Sequence, residues 1–125
     1  MGIIFINYAL FATSLRDEYG YFHAMIKETF HLLGFNTKTL QSFPVWNAGS
    51  NLWTYQAMQT ATIVNGRWTY RVIIPDVIAR AKVYFNCNNI TGLPLENGGG
   101  AGAFAAHWEK LWMGNEVMIA KQDAK

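Results

Sequence analysis

Lys27, Glu28 and His31 belong to the run Lys27-Glu28-Thr29-Phe30-His31, in which positions 27 and 31 share one face of a helix and Glu28 adjoins it. That is the spacing of an H-E-x-x-H zinc motif, where two imidazoles hold the ion and the glutamate activates its bound water. Here a lysine stands in place of the first histidine. Its ammonium offers three donors and no lone pair, and it repels a dication unless it is first deprotonated against a reference pKa of about 10.4. His23 is no substitute in an unbroken helix. It lies eight positions before His31, roughly 12 Å along the axis, whereas two nitrogens on one zinc are separated by no more than about 4 Å. Lys27 therefore reads either as a solvated helix residue or as an ammonium in the metal position, paired with Glu28 or Glu116. Without a metal-bound water Glu28 is only a carboxylate. The single Cys87 excludes an intrachain disulfide framework and reads as an unpaired half-disulfide; nothing argues for a Cys–His dyad.

The elements that must position these side chains are written in local signals. Residues 2 to 11, with Ile3, Ile4, Phe5, Ile6 and Tyr8, read as a short strand or buried segment. Ser14 can cap a helix with Asp17 and Glu18 in its first turn; Phe22, Ile26, Phe30 and Leu33 recur at helical spacing, and Gly34 is the stop, which predicts a helix over about 15–33. Residues 36–58 mix Pro44, Gly49, Trp46 and Trp53 without a sustained period and read as a long irregular excursion. Ile63-Val64, Asn65-Gly66 and Trp68, Tyr70, Val72 spell strand, type I′ turn, strand. Pro75 opens a second helix expected to run to about Asn86, and 88–102 reads as loop.

The remaining motifs carry a resemblance. Asn86-Cys87, the stretch Thr91-Gly92-Leu93-Pro94-Leu95-Glu96-Asn97-Gly98-Gly99, then Ala101-Gly102-Ala103-Phe104-Ala105-Ala106-His107-Trp108-Glu109-Lys110, and finally Gly114-Asn115-Glu116-Val117-Met118-Ile119 are similar, in this order, to the second half of a leishmanolysin-type metallopeptidase catalytic domain, most closely the versions associated with ciliates. The resemblance covers about residues 20–35 and 75–120, with 36–74 as the variable insert between them. It implies that Glu28 is the catalytic general base, His31 the second zinc ligand and His107 the distant third, 76 positions on, with Lys27 in the first-ligand position. Met118 would be the Met-turn residue under the metal. The glycines before His107 suit a backbone that must pass close to the helix. The implied fold is an α+β zincin-like catalytic-domain fragment: active-site helix (about 15–34), hairpin, second helix and Met-turn loop, with the third-ligand and Met-turn region at about 87–120 of a single partial domain spanning 1–125.

The implied function is zinc metalloendopeptidase activity, peptide-bond hydrolysis by zinc-activated water, impaired by Lys27; the alternative is a non-catalytic pseudopeptidase or interaction subunit that retains the fold. Zn2+ is the implied cofactor, although with Lys27 in place only two protein ligands remain. The implied substrate is a peptide or protein, and cell adhesion and a cell-surface, membrane-associated setting are the family's usual companions. Before the helix only about fourteen residues are available for a substrate wall, so a partner polypeptide completing the fold is also expected.

Composition narrows the field from the other side. A chain of 125 residues and 14.1 kDa makes about one domain, burying roughly 65% of its unfolded surface. A content of 51% hydrophobic and 15% aromatic against 14% charged residues excludes intrinsic disorder. The +2 formal charge is scattered, so no nucleic-acid footprint is visible. No window reaches the roughly 18 apolar residues of a membrane-spanning helix, and Gly2 to Phe5 lacks the flanks of a signal peptide. The surplus of Trp, Tyr and Phe implies surfaces that belong against something else.

Overall fold

A computed structural model describes residues 3, 18–98 and 103–120. The strand expected over 2–11, the Ser14 cap, Asp17 and residues 99–102 of the glycine-rich stretch lie outside the described residues.

Helix α1 runs Glu18–Leu32, inside the span its apolar spacing predicts. It ends as a glycine at that position allows. Gly34 has φ +118°, its N–H donates to His31 O at 3.3 Å, and the Phe35 N–H reaches back to Phe30 O at 3.0 Å. These two bonds form a Schellman motif, which satisfies carbonyls of the last turn and folds Phe35 back against it. Asn36 then links two helices with one side chain. Its Oδ1 accepts from Thr39 N–H at 3.0 Å and caps α2 (Thr37–Gln41), while its Nδ2 donates to His31 O at 3.1 Å.

The irregular excursion expected over 36–58 is instead regular structure. After α2 come β1 (Phe43–Asn47) and β2 (Leu52–Gln56), an antiparallel hairpin with Pro44 opposite Tyr55 and Trp46 opposite Trp53. Its loop is built by Asn47, whose Oδ1 accepts from the N–H groups of Gly49 (2.9 Å) and Ser50 (3.2 Å). Its strands are held by cross-strand contacts, chief among them the edge-to-face Trp46–Trp53 pair with ring centroids 5.4 Å apart, worth about 0.5–1.5 kcal/mol beyond area burial. Strand pairing of this kind leaves no alternating period for the sequence to display.

The second hairpin is the expected one. Strands β3 (Gln59–Val64) and β4 (Arg67–Val72) meet at Asn65 and Gly66, both at positive φ (+51° and +75°) as a type I′ turn requires. Helix α3 (Pro75–Tyr84) begins at Pro75 and ends within two residues of Asn86, as expected. Asn86 takes φ +48° and closes a second Schellman motif, its N–H on Val83 O and that of Cys87 on Lys82 O. The stretch expected as loop after it contains β5 (Leu93–Pro94), which extends the sheet in the order β3-β4-β5 by pairing Val72 with Leu93 and Arg71 with Pro94. A short helix, α4 (Lys110–Met113), follows. The class is α+β.

Two buried clusters hold the sheet to the helices. Leu40, Val72 and Leu95 pack with Phe35, Met58, Tyr70 and Ile74; Ala81, Ile90 and Leu93 pack with Phe85 and Met113; Val77 and Trp108 belong to both. Among the described residues no helix is long and apolar enough to cross a membrane.

Candidate metal-binding site

One face of α1 carries Gly20, His23, Ala24, Lys27 and His31 at three- and four-residue steps. The first four of these line a small cavity, about 100 Å³, closed on its far side by Val117. This face looks toward the C-terminal segment, and His31 meets it directly: its Nε2 lies 3.1 Å from His107 Nε2, with the rings edge-to-face at a centroid distance of 4.8 Å.

The backbone fixes both rings. The Schellman turn that Gly34 permits places Phe35 O 2.6 Å from His31 Nδ1, and Ala103 O lies 3.1 Å from His107 Nδ1. A carbonyl only accepts, so each Nδ1 carries a hydrogen and donates it, leaving a lone pair on each Nε2. Two lone pairs facing each other at 3.1 Å make no hydrogen bond; the pair is complete only with a proton or a cation between the nitrogens. A second proton on the His107 ring is disfavoured. His107 is buried, 6% exposed, and burial is the largest cause of a pKa below the ordinary imidazole value; the charges of His31 and Lys27 push the same way, against the Ala103 carbonyl and Glu28.

His107 is held by the sheet rather than by a helix. Residue 95 bridges 108 and residue 108 bridges 119; Glu96 N–H donates to His107 O at 2.8 Å, and Trp108 N–H to Met118 O at 2.9 Å. Leu95 N–H in turn donates to Tyr70 O on β4 at 2.8 Å. The Trp108 ring packs edge-to-face on Phe35 at 4.7 Å, and Thr37 Oγ1 donates to Ala105 O at 3.2 Å, so the segment is pinned to the end of α1 from two directions. Met118, 3% exposed, is buried beside it.

The sequence-predicted residues are thus partly brought together. His31 and His107 touch. Glu28 is exposed on α1, and Lys27 is half-buried on the same helix face as His31. Glu116 uses its carboxylate to accept from Met118 N–H at 2.7 Å, and among the described residues no ion pair joins Lys27 to Glu116 or Glu28. Helix α1 is unbroken through His23 and His31, the condition under which His23 is too far away to share an ion with His31. Among the described residues no three His, Cys, Asp or Glu side chains converge as a complete ligand set, so the pair offers two donors and Lys27 none. Sequence reasoning missed Asn36, whose capping position just before Thr37 was the available signal, and the carbonyls of Phe35 and Ala103, which leave no mark on side-chain identity.

Comparison with known proteins identifies the family. The leishmanolysin family profile matches residues 2–125. A leishmanolysin-like peptidase of Drosophila melanogaster is 45% identical over 47 residues, 38% of this chain and 7% of the fly protein. One from Caenorhabditis elegans is 39% identical over 49 residues, 39% of this chain and 7% of its own length. A leishmanolysin homolog of Crithidia fasciculata is 28% identical over 111 residues, 86% of this chain and 15% of its own length. No solved structure matches. The chain belongs to the leishmanolysin family of metallopeptidases, and its matches span less than a sixth of the length of these relatives.

Proposed function

We propose that this chain carries the zincin-like metal-binding half of a leishmanolysin-type metalloendopeptidase site, with His31 and His107 as the surviving zinc ligands, Met118 as the Met-turn residue and catalysis impaired at Lys27. The observation that carries the reading is the facing pair of Nε2 lone pairs, 3.1 Å apart with both Nδ1 atoms donating to backbone carbonyls. Metal-ligating histidines are oriented in this way by their second nitrogen. Zinc, when bound in this family, polarises the scissile carbonyl and lowers the pKa of water toward neutrality. The chain's own residues do the rest: His31 and His107 hold and orient, and Glu28 accepts and returns the proton of the attacking water.

Lys27 sets the limit on that activity. It fills the first-ligand position with a group that has no lone pair, and its charge opposes a cation beside His107. The substrate in this reading is a peptide, and a further polypeptide supplies the remaining wall of the cleft. The deciding experiment is zinc stoichiometry by elemental analysis and calorimetric titration of the purified chain and its His107→Ala variant. Weak zinc binding that disappears in His107→Ala is expected; identical zinc retention by both proteins would defeat the assignment.

A further inference from the structure

The loop after α3 and the short helix α4 form, against β4 and β5, a cleft of about 440 Å³ that none of Lys27, Glu28, His31 and His107 lines. That volume lies within the range of small-molecule sites. One wall is apolar: Phe85, Ile90, Pro94, Leu111 and Trp112, with the Phe85 and Trp112 rings edge-to-face at a centroid distance of 6.4 Å. Gly92 lets the loop lie close to the sheet, since a Cβ there would stand 3.1 Å from Val72 O and 3.2 Å from Arg71 Cβ.

The other wall is charged. Arg71 and Glu109 both line the cleft and both are half-buried, yet neither side chain has an ion-pair partner among the described residues. One proline brings them together. Pro94 stands opposite Arg71 in the β4–β5 pairing, and its carbonyl accepts from Glu109 N–H at 3.1 Å. A charge taken part of the way out of water is destabilised until a counter-charge or hydrogen-bond partner meets it. The cleft therefore presents one cationic and one anionic group, each lacking its complement, around a single residue. Arg67 lines only the adjoining, more open depression and is itself exposed, so water satisfies it.

Those two groups select the ligand. A guanidinium takes a carboxylate through two parallel hydrogen bonds, and a carboxylate accepts from the N–H donors of an ammonium. An anion alone would leave Glu109 unanswered, and a cation alone would leave Arg71 so. An α-amino acid carries both groups on one carbon, which suits two charges gathered around one proline, and a large apolar side chain would cover the Phe85–Trp112 wall. We propose that this cleft binds a free α-amino acid with a large apolar side chain, its carboxylate on Arg71 and its ammonium on Glu109. No part of this assignment rests on the metal site.

Cys87, the chain's single cysteine, is exposed and lines the same cleft, so its thiol reports occupancy. The test measures alkylation of the 125-residue chain by neutral iodoacetamide in the presence of L-phenylalanine, of phenethylamine, which lacks the carboxylate, or of 3-phenylpropionate, which lacks the ammonium. Phenylalanine should slow the reaction saturably, and each one-charge analogue should protect roughly tenfold more weakly or worse. Arg71→Gln should abolish the advantage of phenylalanine over phenethylamine while keeping its advantage over 3-phenylpropionate. Glu109→Gln should do the reverse, a crossed pattern that general loosening of the fold does not produce. Circular dichroism verifies that each variant is folded, and the three-compound comparison on the parent chain stands without them. A thiol left unprotected by phenylalanine, or protected equally by all three compounds, would overturn the proposal; so would preferences unchanged by both substitutions.

Discussion

Replacing Lys27 with histidine should convert a two-donor site into a three-donor one, and the size of the effect follows from the geometry. Two nitrogens 3.1 Å apart, each about 2.0–2.1 Å from a zinc ion, subtend about 100° at the metal, and opening to a tetrahedral angle needs only about 0.2 Å of movement. An imidazole at position 27 would stand one turn before His31 on the same face, where side chains lie about 5–6 Å apart at Cβ. Loss of a direct ligand costs more than the ten- to hundredfold seen when an outer partner is removed, so the variant should bind zinc at least about a hundredfold more tightly than the parent. At free zinc 100 times the variant's Kd the stabilisation is about 2.7 kcal/mol, against about 0.4 kcal/mol for a parent at its own Kd. For a domain of this size those figures correspond to a Tm increase of roughly 10 °C and less than about 2 °C respectively. Calorimetric titration with zinc and a thermal scan with and without the metal measure both quantities. Equal responses from parent and variant, or a Lys27→His response that survives a second His107→Ala change, would refute the geometry argued here.

The buried His107 gives the metal-free chain a pH dependence. Its folded pKa lies below the unfolded value of about 6.5, so its contribution is full above about pH 6.5 and is lost as pH falls through the folded pKa; urea midpoints should fall from pH 7 toward 5 in the parent and less steeply in His107→Gln. Leu95→Ala, at a fully buried position next to the Glu96–His107 bond, should cost about 2–5 kcal/mol in denaturant unfolding, and in the Lys27→His background it should weaken zinc binding because the strand that aims His107 loosens. Gly34→Ala places a Cβ at φ +118° and 3.3 Å from Thr39 Cγ2. It should destabilise the fold by at least about 1–2 kcal/mol and reduce zinc affinity in the same background by moving Phe35 O away from His31, a loss detectable by the same titration.

What the sequence discloses is what short-range chemistry determines. Helix α1, its glycine stop, the Asn65-Gly66 turn and the Pro75 helix start each depend on residues within a few positions, and each is legible. The β1–β2 hairpin is not, because its strands carry apolar residues on both faces and one proline, and what selects the strand state is the partner across the gap, Trp53 for Trp46 and Tyr55 for Pro44. The end of α3, within two residues of the expected Asn86, is made by an asparagine in the left-handed region that does a glycine's work there. Of the site, the helical spacing of Lys27, Glu28 and His31 is local, whereas His107 is recognisable only by family resemblance. Its contact with His31 is made by hydrogen bonds from residues 94–96 and 118–119, which no window around either histidine contains.

The 76-residue interval between His31 and His107 would give an ion held between them a second physical role, that of a reversible cross-link. An ion shared by the two imidazoles would close a loop containing both hairpins and the Pro75–Tyr84 helix, and a covalent bridge over a loop of that length removes chain entropy from the unfolded state worth about 4–5 kcal/mol. Chelation would then act on this chain as reduction acts on a disulfide-bonded one, releasing the loop's two ends together and lengthening the tether that must be searched before they meet again.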